Sequence, residues 1–67
     1  MLGRFDDALR TRQDVYSGKL KLLGEESRST VVEAKNYADL LLELKRFRAA
    51  KSLLRKTMPV ARRVLGD

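Results

Sequence analysis

The side chains that carry most acid–base and metal chemistry at neutral pH are missing, because the 67-residue chain has neither histidine nor cysteine. Without them there is no Cys/His zinc site, no disulfide and no imidazole base. The adjacent acidic pairs, Asp6-Asp7 and Glu25-Glu26, fall near helix ends, where capping or plain solvation suits them better than a metal ion. Gly3, Gly18, Gly24 and Gly66 are too far apart to build a phosphate-cradling loop. An enzyme, a metal or a cofactor is therefore not expected. What remains is recognition chemistry. Asn36 has an amide that both donates and accepts, suited to gripping a peptide backbone, and Lys35 beside it suits an acidic partner. On the residues alone, Asn36 is equally readable as a solvated helix position.

The elements that hold these residues are helices. Apolar residues at Ala34, Tyr37, Ala38, Leu41 and Leu44 follow the i, i+3, i+4, i+7 spacing of one buried stripe. Thr30 and Glu33 form an S/T-x-x-E capping box, so this helix should start near Thr30. Leu44-Lys45-Arg46 makes a short basic corner. A second stripe then runs through Phe47, Ala50, Leu53, Leu54, Met58, Ala61, Val64 and Leu65. A corner this tight makes the two helices antiparallel neighbours, with the small Ala38 and Ala50 where the backbones approach. Upstream, residues 1–24 read as one helix with a broad apolar face of Phe5, Ala8, Leu9, Val15, Tyr16, Leu20, Leu22 and Leu23, interrupted by Gly18 and stopped by Gly24. The expected class is all-α with three helices. Pro59 should kink the last helix near Arg55 to Pro59, or else end it there.

The net charge of +6 is uneven. From Lys45 onward there are eight basic residues against one acid, whereas the first 44 residues hold seven against eight. Arg48, Lys51, Arg55 and Arg62 form a basic outer face of the last helix, widened by Lys56 and Arg63. That band is either a solvated surface or an electrostatic footprint for an anionic partner. No apolar run is long enough to span a bilayer, and MLGRFDDALR lacks the apolar core of a signal peptide, so a soluble cytoplasmic protein is expected.

Sliding the sequence by 42 positions places Leu2, Arg4, Phe5, Ala8, Leu23 and Gly24 over identical residues, six of the 24 pairs from Leu2 to Glu25. They cluster at the two ends of one helix, where a turn and a stop must recur, so the chain reads as an internal repeat. Leu23, Gly24, Thr30, Asn36, Ala38, Phe47, Ala50, Val64, Leu65 and Gly66 resemble a tetratricopeptide repeat of the 42-residue, kinesin light chain-like type. Ser27-Arg28 replaces that pattern's His-Pro, Tyr37 takes its leucine slot, and Lys45 replaces its turn glycine. A positive φ at Lys45 would cost about 1 kcal/mol.

The resemblance implies helix B of an incomplete first repeat over 1–24 and one complete helix A–helix B repeat over 25–66. Antiparallel hairpins of this kind build a right-handed superhelix whose A helices line the concave face. Mapped onto this chain, the peptide-binding positions are Val32, Lys35, Asn36, Asp39, Leu42 and Glu43, which are also residues of the first hairpin helix outside its core stripe. The implied role is a protein–protein interaction scaffold for a peptide or protein partner. One and a half repeats leave both ends uncovered, so the chain is expected to belong to a longer array or to self-associate through its apolar ends. The rival from another class is a small basic helical protein that binds RNA or an anionic membrane through its last helix. Against RNA, Phe47 is the only aromatic of that segment and is assigned to the core; against a membrane, the hairpin already claims the apolar face.

Overall fold

A computed structural model describes the backbone of residues 2–66 and the side chains of residues 6–66, so the roles expected of the side chains of Leu2, Arg4, Phe5 and Asp67 lie outside the described residues. The described residues form three helices: α1 (Leu2–Leu23), α2 (Arg28–Glu43) and α3 (Phe47–Leu65). No strand occurs among the described residues, and the fold is all-α.

α1 runs unbroken through Gly18 and stops where expected. Gly24 takes φ 81°, and its N–H donates to the Leu20 carbonyl at 3.0 Å. A left-handed φ there suits a residue without a Cβ.

The start of α2 departs from the capping-box expectation. The helix begins two residues earlier, at Arg28, with Ser27 extended at the N-cap and no side-chain cap bond. Thr30 is buried instead, and its Oγ1 donates to the Lys19 carbonyl of α1 at 3.2 Å. Glu33 meets Lys19 Nζ at 3.7 Å, while the same ammonium donates to Ser29 Oγ at 2.6 Å. The two box residues thus tie α2 to α1 rather than to its own first turn. A buried hydroxyl needs a partner more than a solvated helix end does, and the α1 carbonyl supplies one.

The corner between α2 and α3 is a Schellman motif. Arg46 N–H donates to the Leu41 carbonyl at 2.8 Å and Lys45 N–H to the Leu42 carbonyl at 3.0 Å. Lys45 occupies its left-handed position at φ 61°, the strained geometry expected if lysine stands where glycine is usual. α3 then continues through Pro59 without a break, so the alternative of a helix end at Thr57 to Pro59 is not realised. Pro59 is exposed, which leaves solvent able to serve the carbonyl it cannot bond.

α2 is the central element. It packs on α1 and on α3, and those two do not pack on each other among the described residues. Tyr16, Ala34, Ala38, Leu41, Ala50 and Leu53 form one core, with Leu9, Leu20, Tyr37 and Leu54 packed against it. The Tyr16 and Tyr37 rings lie 6.2 Å apart at 37°, within the range of favourable aromatic pairs. Ala38 and Ala50 have no exposed surface, as expected where two backbones close up. Arg63, near the end of α3, reaches Glu26, just before α2, at 2.6 Å, which makes α2 and α3 antiparallel.

The breadth of the apolar faces was overestimated. Phe47 is 61% exposed, and Met58 and Leu65 are also exposed, while Thr57 and Val60 take their places in the core beside Ala50 and Leu53. On α1, Ala8, Val15, Leu22 and Leu23 are exposed, and among its described apolar residues Leu9, Tyr16 and Leu20 pack into the core on α2. The reason is geometric. One neighbouring helix covers a single strip of a cylinder, and each outer helix has only α2 beside it. The molecule is correspondingly flat, with extents of 39 × 23 × 14 Å.

Candidate binding faces

Three surface features are built by this arrangement. The first is the outward row of α2. Thr30, Val31, Ala34, Ala38 and Leu41 point into the core, so helical periodicity turns Val32, Lys35, Asp39, Leu42 and Glu43 away from it, and all five are exposed. Asn36 is half-buried, at the edge of the row rather than on its crest. The six expected peptide-binding residues therefore share one side of one helix, with a cation, two carboxylates, an amide and two aliphatic side chains that the core does not use.

The second is the basic face of α3. The helix contains no acidic residue, and Arg48, Lys51, Arg55 and Arg62 are all exposed with no ion pair among the described residues. Arg48, Lys51, Ser52 and Arg55 line an open hollow of about 190 Å³. Arg63 is instead paired: it donates to Glu26 Oε2 at 2.6 Å, and that hydrogen bond, then the charge of Glu26, raises its pKa above the ordinary arginine value. Lys56 stays exposed.

The third was not legible in the sequence. A cleft of about 90 Å³ opens where α1 and α3 stand apart over α2, lined among others by Tyr16, Leu20, Thr30, Ala34, Thr57 and Val60. Its two threonines, Thr30 and Thr57, are both buried. Thr57 lies inside a run of basic and apolar residues and carries no motif that would have marked it.

Aligning α3 with α1 by the 42-residue shift pairs several inward positions of one helix with exposed positions of the other, whereas Leu23 and Leu65 are both exposed. Both helices end on glycines with positive φ, Gly24 at 81° and Gly66 at 74°. Ala50, Thr57 and Val64, which face inward on α3, correspond to Ala8, Val15 and Leu22, which are exposed on α1. Conversely Leu9, Tyr16 and Leu20, which face α2, correspond to the exposed Lys51, Met58 and Arg62. Each outer helix thus buries against α2 the strip whose counterpart the other leaves bare. No protein family, curated protein or solved structure matches this chain. No helix among the described residues is long and apolar enough to cross a membrane.

Proposed function

We propose that this chain is a protein-binding helical repeat unit of tetratricopeptide-like design, with a binding rather than a catalytic task. The exchange of faces between α1 and α3 supports the reading best. In a stacked repeat, each B helix packs on the A helix before it with one strip and on the A helix after it with another. α1 has only a following partner and α3 only a preceding one, and each leaves the appropriate strip open.

On this reading the α2 row is the peptide-binding surface, with Val32 and Leu42 as apolar contacts. Asn36 bonds a main-chain amide from the row's edge, while Lys35, Asp39 and Glu43 select charge. The test is a selection from a displayed random-peptide library against the immobilised chain, followed by titration of the selected peptides. Lys35→Ala and Asn36→Ala should each weaken binding by about tenfold, the scale of one lost hydrogen bond, and Arg62→Ala should leave it unchanged. Peptides that respond only to Arg62→Ala would refute the assignment.

The acid-free basic face of α3 favours a second reading, an RNA or anionic membrane partner. That reading requires affinity to fall steeply with salt and to depend on Arg48, Lys51, Arg55 and Arg62, with Lys35→Ala silent.

A further inference from the structure

Two helix faces in this molecule are apolar, exposed and unpartnered, and they match each other. On α1 the strip is Ala8, Val15 and Leu22, at intervals of seven residues, with Leu22 85% exposed. Asp7 and Asp14 border it, also seven apart. On α3 the strip is Phe47, Met58 and Leu65, with Leu54 half-buried along its inner edge. Arg48, Arg55 and Arg62 border that one, again seven apart, with Lys51 between them.

Seven residues of helix rise about 10.5 Å, so carboxylates and guanidinium groups recur at one interval along both helices. Side chains seven apart stay on nearly one line, the condition for two helices to pack along their length. Large exposed apolar side chains in a row cost free energy in water that a docked helix would recover.

The α3 face has a counterpart within the chain. By the 42-residue shift, Leu9, Tyr16 and Leu20, which seat α2 through apolar contacts, correspond to Met58 of that strip and to Lys51 and Arg62 beside it. A helix that docks there therefore needs carboxylates beside its apolar strip, and α1 has them.

We propose that the chain associates with itself head to tail. The α1 strip of one copy docks on the α3 strip of the next, with Asp7 and Asp14 facing the Arg48, Arg55 and Arg62 band. Arg12, on the other flank of the α1 strip, then lies on the α2 side, where Asp39 and Glu43 are exposed. The contact is heterologous, so every added copy presents one fresh face of each kind and growth does not stop at two. The inference goes beyond the peptide-binding reading, and its variants lie outside the α2 row, so either can fail without the other.

The experiment is sedimentation velocity on the full chain from about 10 μM to about 1 mM, in about 20 mM and again in about 500 mM salt, where screening is short-ranged. At low salt the mean mass should climb with concentration above the 7.7 kDa of one chain, and high salt should lower it. Val15→Arg and Met58→Asp each place a like charge in one strip, and both sites are exposed, so helical circular dichroism should be unchanged. Each variant alone should sediment as a monomer. Mixed in equal amounts they should associate again, at least to a dimer of about twice the chain mass, because one intact face survives on each. A wild-type monomer at every concentration would overturn the proposal. So would variants that still associate alone, or a mixture that stays monomeric.

Discussion

Lys45 is the position at which one substitution measures how the corner is built. Its φ of 61° lies in the left-handed region, and both Schellman hydrogen bonds depend on that conformation. A Cβ there costs roughly 1–2 kcal/mol, a cost glycine does not incur. Glycine also gives the unfolded chain more freedom, which takes back roughly 0.4–1 kcal/mol. Lys45→Gly should therefore stabilise the protein by about 0.5–1 kcal/mol. For a domain of this size that corresponds to a rise in Tm of about 4 °C or somewhat more. The assay is urea unfolding followed by circular dichroism, at a concentration low enough to hold the chain monomeric. The midpoint should move upward with the slope unchanged. Lys45→Ala is the control, since alanine keeps the Cβ and should give none of the gain. The reasoning is refuted if Lys45→Gly lowers the midpoint, or if alanine stabilises as much as glycine.

Three further substitutions test the packing. Gly18→Ala should stabilise α1 by about 0.5–1 kcal/mol, because a Cβ built at Gly18 meets nothing within 4 Å; thermal unfolding reads the gain. Thr30→Val keeps the shape of a buried residue but removes its bond to the Lys19 carbonyl, and should cost about 0.5–1.5 kcal/mol in urea unfolding. Ala38→Leu inserts a branched side chain where no surface is free, and should destabilise by about 1–3 kcal/mol, with loss of dispersed amide signals in an NMR spectrum if the hairpin is forced apart.

How much of this was legible beforehand differs from element to element. The corner was readable as a tight turn because so few residues separate the two apolar stripes, while the left-handed position of Lys45 was suggested by the repeat resemblance, whose pattern has a glycine there. The approach of Ala38 and Ala50 was readable because small residues at facing positions have few other uses in a leucine-rich chain. The outward row of α2 was readable by subtraction from the core stripe. Thr30 was misread because a capping box is a local pattern, whereas the carbonyl that claims its hydroxyl lies eleven residues back on another helix. Phe47 was misread because apolar type alone does not say whether a partner exists to cover it.

Helix content, the stops at Gly24 and Gly66 and the basic excess of the last segment are properties of neighbours in the chain. Periodicity, a missing Cβ and a count of charges are enough to specify them. Which strip of each outer helix is buried is not such a property, since both α1 and α3 carry more apolar surface than one neighbour can cover. Only the docking of α2 between them decided that Leu9, Tyr16 and Leu20 go inward on one side and Ala50, Thr57 and Val60 on the other. The bare strips that result are a consequence of packing three helices around a single central one.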